Sequence, residues 1–146
     1  MKRYISKEDN KYYTYMLDIL NAIGGRNLNY NWLINNIEAY PLIKSIEDKI
    51  SGEYLIMSNN ELLELLERED FQWVWGVFSA ISPIYSQEEI LKYKLPSIAA
   101  LDNASIQHPL AEIEIVVFDS SYVQITCKDE KIADMFFEKY RLSKQQ

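Results

Sequence analysis

Apolar side chains recur along the chain at two spacings, and the points where one gives way to the other predict its elements. Lys2 to Lys7 alternates weakly, as a short strand does. Tyr12, Met16, Ile19, Leu20 and Ile23 then recur at helical spacing up to Gly24-Gly25. That spacing predicts a helix of about four turns, and glycine is a suitable stop because it alone takes the left-handed conformation without a steric penalty. Tyr30 to Tyr40 is rich in aromatic and branched residues and ends at Pro41, so it reads as extended. Glu53 to Met57 reads as a second short strand.

Two helix starts are written into the sequence. In Ser58-Asn59-Asn60-Glu61 the serine oxygen can accept from the Glu61 backbone while the glutamate returns to the Ser58 amide, and Ser86-Gln87-Glu88-Glu89 repeats the arrangement. Behind the first box, Leu62, Leu63, Leu65 and Leu66 form an apolar face, and Glu61, Glu64, Glu67 and Arg68 a wet one. Behind the second, Ile90 and Leu91 open a shorter helix that Pro96 stops.

Between these helices, Phe71 to Ile81 is apolar on both faces. Strict alternation puts Phe71, Trp73, Trp75 and Val77 on one and Val74, Gly76, Phe78 and Ala80 on the other. A strand covered on both faces is most simply an internal one, and Gly76 marks close approach by a neighbouring side chain. Ala111 to Phe118, the turn Asp119-Ser120-Ser121 and Tyr122 to Cys127 read as a hairpin. A last helix opens near Asp129 and buries Ile132, Met135, Phe136 and Tyr140, ahead of a polar tail.

The order is strand, helix, two strands, helix, strand, helix, hairpin, helix. This predicts a single α+β domain over residues 1–146, with a mixed or mainly antiparallel sheet and about four packed helices. Leu95 to Leu110, with two prolines, is the longest irregular piece and the expected mobile loop. A chain of 146 residues can bury roughly 70% of its unfolded surface, enough for a core without staples. Cys127 has no partner within the chain, no apolar run reaches the ~20 residues of a spanning helix, and the opening residues lack signal-peptide character. The expectation is a soluble, cytoplasmic protein without membrane association.

Charge changes this picture most. Between Ser45 and Leu91 ten acidic residues face two basic ones, so this segment is more negative than the whole chain, whose net charge is −7. Such a region repels nucleic acid and anionic lipid and favours a basic protein partner. Aromatics make up 13% of the chain, but a nucleic-acid stacking platform also needs a basic groove, which is missing. Trp73 and Trp75 read first as core, and as interface anchors if they lie near the surface.

Catalytic chemistry is thin. His108, the single histidine, precedes Pro109 and reads as an exposed loop residue. A dyad with Cys127 is formally possible, against the simpler reading of Cys127 as a small core residue. Neither a phosphate loop nor a dinucleotide fingerprint can be assembled from four glycines, so no cofactor and no metal is expected. Glu112 with Glu114, and Glu69 with Asp70, could do acid–base work only if burial raised a pKa. For Glu112 and Glu114 the solvated face of an edge strand is the simpler reading.

The stretch Trp73 to Ile81 (Trp-Val-Trp-Gly-Val-Phe-Ser-Ala-Ile), and Ala111 to Tyr140 with its Glu-Ile-Glu-Ile-Val-Val-Phe-Asp-Ser-Ser-Tyr hairpin, resemble segments of small uncharacterised bacterial proteins. Some of these are similar to immunity proteins of toxin systems. The resemblance implies a cytosolic, non-enzymatic protein that neutralises a partner by binding it. The charge pattern favours an acidic binding surface made of Glu61, Glu64, Glu67, Glu69 and Asp70, with Tyr54 or Trp73 as apolar anchor, and the resemblance, which assigns no residue, agrees with a binding role. Two alternatives stand beside it: a small-molecule or enzyme pocket under Leu95–Leu110, and self-association through the edge of the 111–127 hairpin.

Overall fold

In the computed structural model, which describes residues 1–7, 14–98, 105–139 and 143–145, every strand foreseen in the sequence forms and one more joins them. The strands are β1 (Lys2–Lys7), β2 (Asn31–Ala39), β3 (Tyr54–Ser58), β4 (Trp73–Ile81), β5 (Ala111–Phe118), β6 (Tyr122–Cys127) and β7 (Ser143–Gln145). They make one antiparallel sheet in the order β3-β2-β4-β5-β6-β1-β7. The helices are α1 (Met16–Ala22), α2 (Lys44–Lys49), α3 (Asn59–Arg68), α4 (Gln87–Ile90) and α5 (Glu130–Lys139). The fold is α+β, as expected.

Both capping boxes are present in full at Ser58 and Ser86. Gly24 and Gly25 end α1 with φ of +137° and +56°. The α1 helix is shorter than its periodicity suggests, because Tyr15 bridges Gln72 and the Thr14 carbonyl accepts the Trp73 amide (3.1 Å), which holds residues 14 and 15 extended. Tyr12 lies outside the described residues, as does Tyr140. The α2 helix was not foreseen, since only Ile46 of its six residues is buried and no apolar stripe announces it.

One face of the sheet carries the main core, with Trp32, Ile34, Met57, Phe78, Ile113, Ile115, Val117, Val123, Ile125 and Cys127 packed together with Met16, Ile19, Leu62, Leu66 and Phe136 from α1, α3 and α5. The other face is covered by the chain that leaves β4. Leu33, Ile81, Ile90 and Ala111 form a second cluster, flanked by Tyr54, Ile56, Tyr85, Leu95, Ile106 and Leu110. The hairpin is therefore central: β5 lies between β4 and β6, and β6 between β5 and β1. Neither strand offers a free edge for a second copy, and Glu114 is buried rather than solvated, at 2% exposure. The self-association expectation fails because β1 returns to pair with β6 and extends the sheet beyond the hairpin, and the solvated-edge expectation for Glu114 fails because β5 lies between β4 and β6 and the segment carrying Gln107 covers its face.

The two tryptophans of β4 do not share a face. Between Trp75 and Trp73 the register slips against β2, where a step from Glu38 to Ala39 matches a step of two in β4. The extra residue, Val74, turns Trp73 onto the helix side, a reversal that any one-residue insertion in a strand imposes. Trp73 is fully buried there, 4.9 Å from the Phe78 ring and 5.0 Å from Phe71, whereas Trp75 is half-buried on the other side against Phe118 (4.8 Å). Gly76 is the space beneath: a Cβ there would stand 3.0 Å from Phe78 Cε1 and 3.6 Å from Trp73 Cε3.

Replacing Trp73 with alanine should cost about 3 to 5 kcal/mol, the usual price of emptying a large aromatic site in a core. Trp75→Ala should cost clearly less. Urea unfolding of the two variants measures the difference, and equal midpoints would show that the slip in register does not decide which ring is buried.

Candidate binding surface

The carboxylates that the sequence places on an acidic helix are largely occupied by the fold itself. Glu61 accepts the Ser58 amide in the capping box (3.1 Å), and that bond, with the serine hydroxyl, holds its pKa below the ordinary value. Glu67 pairs with Arg26. Glu69 grips the turn before α2, accepting the amides of Leu42 (2.7 and 3.0 Å) and Ile43 (2.9 Å). Asp70 stands close to Asp18, and partial burial followed by that like charge raises its pKa to about 6, against a hydrogen bond from the Leu17 backbone. Glu64 alone of the five is exposed without a described partner. It lines a cleft of about 410 Å³ between α2 and α3 in which Glu61 and Glu64 face Lys49 and Arg68, so the charge there is balanced.

The proposed anchors are placed elsewhere. Trp73 is in the core and offers a partner no surface, and Tyr54 packs half-buried beside the second cluster. His108 is fully buried, not exposed: its Nδ1 accepts the Leu110 amide (3.1 Å), so Nε2 carries the proton and donates to the Ile90 carbonyl (2.9 Å). The Cys127 thiol lies in the main core on the helix side, where burial pushes its pKa up to about 12. It cannot act as a thiolate near neutrality. Glu114 is also pushed above its ordinary pKa by burial, partly offset by the Gln107 amide at 3.0 Å. Among the described residues no group of three or more His, Cys, Asp or Glu side chains could hold a metal, and no described helix is long and apolar enough to cross a membrane.

Unbalanced acidity lies one element away, along the part of β2 that runs past β3. A cleft of about 400 Å³ is lined by Asn35, Asn36, Ile37, Gly52, Glu53, Leu95 and Pro96. A second, of about 370 Å³, shares Ile37 and adds Glu38, Tyr40, Pro41, Glu47, Ile50 and Ser51. Neither lining contains a lysine or arginine. Asn36, at φ +54°, forms the bulge that bends β2 here, and both Asn35 and Asn36 donate to the Pro96 carbonyl (2.7 and 2.9 Å). This ties the start of the Leu95–Leu110 segment to the trough; residues 99–104 of that segment lie outside the described ones.

At the end of the trough stand two of the most exposed large apolar side chains among the described residues, Tyr40 at 72% and Leu42 at 92% exposure. Their mount is rigid. Pro41 between them is buried, the Tyr40 hydroxyl donates to Glu38 (2.8 Å), and Glu69 holds the next two amides. A leucine on a fixed backbone spares binding the backbone-ordering part of its entropy cost. The sequence signal for this corner is slight: apolar residues around a proline that continue neither the strand before them nor a helix stripe after.

A family model described as a protein of unknown function (DUF2691) matches residues 4–145. The chain belongs to this family. The match runs from β1 to β7, so the whole sheet and both clefts lie within the DUF2691 unit. No curated protein and no solved structure matches the chain.

Two outcomes follow for this DUF2691 protein. Glu69→Ala should speed hydrogen exchange at the Leu42 and Ile43 amides and cost about 1.5 to 3 kcal/mol, the scale of hydrogen bonds to a charged group; unchanged exchange would mean that the turn holds itself. Asp70 has a folded pKa above its unfolded one, so the native state binds the extra proton and stability from this group declines as pH rises from about 4 to 6. Asp70→Asn should therefore flatten the stability profile over that window and melt no lower than the parent at pH 7. A variant that is less stable at pH 7, with the same slope, would remove Asp70 from the account.

Proposed function

We propose that this protein is a non-enzymatic binding protein that takes a basic protein partner on the acidic trough of Glu38, Glu47 and Glu53, with Tyr40 and Leu42 as apolar anchors. The observation that carries the reading is the rigidly mounted Tyr40–Leu42 corner beside two clefts without a single cationic side chain. Exposed apolar anchors ringed by one sign of charge suit a partner whose lysine or arginine stems lie along the apolar surface while their heads reach the carboxylates. Opposed charge also speeds encounter and discourages wrong partners. A toxin-neutralising role is the biological form of this reading that the sequence resemblance suggests.

The test is capture from the source cell on the immobilised protein, followed by association rates for the parent and for Glu38→Gln/Glu47→Gln/Glu53→Gln. A basic partner whose association slows with salt and slows about tenfold in the triple variant supports the reading, since steering acts through a Debye length of about 8 Å at physiological ionic strength. An acidic partner, or a triple variant that associates at the parental rate, refutes it. Leu42→Asp should instead raise the dissociation rate, because loss of an apolar anchor acts after encounter.

A further inference from the structure

The outer edge of β3 can be read group by group. Asn59 donates its amide to the Tyr30 carbonyl (3.0 Å), in register with the pairs Trp32–Met57 and Ile34–Leu55. Antiparallel pairs alternate between those that exchange hydrogen bonds and those that do not. Leu55 and Met57 therefore turn their backbone groups toward β2, while Tyr54, Ile56 and Ser58 turn theirs outward. The Ser58 amide agrees, since it is taken by Glu61 on that outer side. For Tyr54 and Ile56 no hydrogen bond among the described residues engages the outward N–H or C=O.

Three of the usual safeguards are missing from this edge. Tyr54-Leu55-Ile56-Met57-Ser58 contains no lysine, no proline and no bulge, and the register with β2 is unbroken along it. We infer that β3 is a docking edge, which receives an extended, basic segment of a partner protein as an eighth, antiparallel strand. The occupant follows from charge. Glu53 directly precedes the strand and lines a cleft without lysine or arginine, which supplies the unbalanced negative charge at this edge, while the Glu61 carboxylate, with Lys49 nearby, is held at the outward Ser58 amide at the other end. A second copy paired antiparallel through the same edge would set Tyr54 opposite Ser58 of its twin, and so bring Glu53 toward the Glu61 carboxylate that caps the twin's Ser58 at both ends of the ladder, a like-charge arrangement that opposes pairing. A cationic segment gains where a second copy loses. Main-chain bonds to Tyr54 and Ile56 would supply affinity, and alternate side chains, projecting to the two sides of the sheet, would supply selectivity. The inference rests on the acidic-surface reading only for the charge of the occupant.

The probe is an end-blocked hexapeptide of alternating lysine and valine, titrated against the full chain and followed by amide NMR. Two further versions carry N-methyl groups on either the lysine or the valine amides. Strand addition uses only one edge of the peptide, so one methylated version should lose at least about tenfold in affinity and the other less than about twofold, while exchange at the Tyr54 and Ile56 amides slows in the unmodified complex. Equal binding by all three versions, slowed exchange at other strands, or no binding at all overturns strand addition. A glutamate–valine counterpart that binds as well overturns the basic occupant. Protection of Tyr54 and Ile56 that grows with protein concentration in the absence of peptide assigns the edge to a second copy, which also overturns the proposal. The two readings fail separately: indifference to methylation with salt-sensitive binding removes the strand and keeps the acidic surface, and the reverse combination removes the surface and keeps the strand.

Discussion

Neither face of the sheet's middle can be left to water. Val77, Phe78, Ile113, Ile115, Val116 and Val117 are all fully buried, and they alternate between the two faces of adjacent strands. Leaving either face open would expose apolar surface at about 25 cal/mol per Å². The chain meets the demand unequally. Three amphipathic helices cover one side, whereas the other is covered by a single short helix and the irregular segment around it. That asymmetry determines where polar groups can go, and it leaves the β2–β3 end of the sheet as the place where carboxylates, exposed apolar residues and an open strand edge coincide.

The irregular cover brings polar groups inside. Glu114 lies opposite Ser79 on one side and Thr126 on the other, all three buried, and the Gln107 amide binds the carboxylate from the covering segment. His108 similarly joins α4 to the start of β5. A helix has no spare amides along its length, so a covering helix could not satisfy these groups, whereas an irregular chain can turn an amide or carbonyl toward each. Among the described residues Ser79 Oγ and Asn35 Oδ1 have no partner. Unpaired buried oxygens each cost stability, and the apolar burial around them has to offset it.

Much of this could be read from the sequence, and the failures share a physical cause. The capping boxes at Ser58 and Ser86, the glycine stop after α1, the hairpin turn at Asp119-Ser120-Ser121 and the internal position of β4 are local or nearly local consequences of residue chemistry, and all are found. What escaped depends on partners distant in sequence. Strand alternation cannot reveal the extra residue at Val74 that reverses Trp73. The burial of Glu114 follows from β4 and β6 pairing on either side of β5 and from the covering segment whose Gln107 amide binds it, and the closed edge of β6 follows from β1, more than a hundred residues away. The site was legible as acidity, but a count of charges does not distinguish Glu61, Glu67 and Glu69, which the fold uses, from Glu38, Glu47 and Glu53, which face open clefts.

The proposed partner docks on the trough and the Tyr40–Leu42 corner, not on the outer face of α3. Hydrogen-exchange mass spectrometry of the protein in complex with its captured partner tests this most directly, because the two surfaces fall on different peptides. Docking there slows exchange across 36–47 and 52–56 and leaves 61–68 unchanged beyond its helical protection. Protection confined to 61–68, or to the hairpin 111–127, would contradict it.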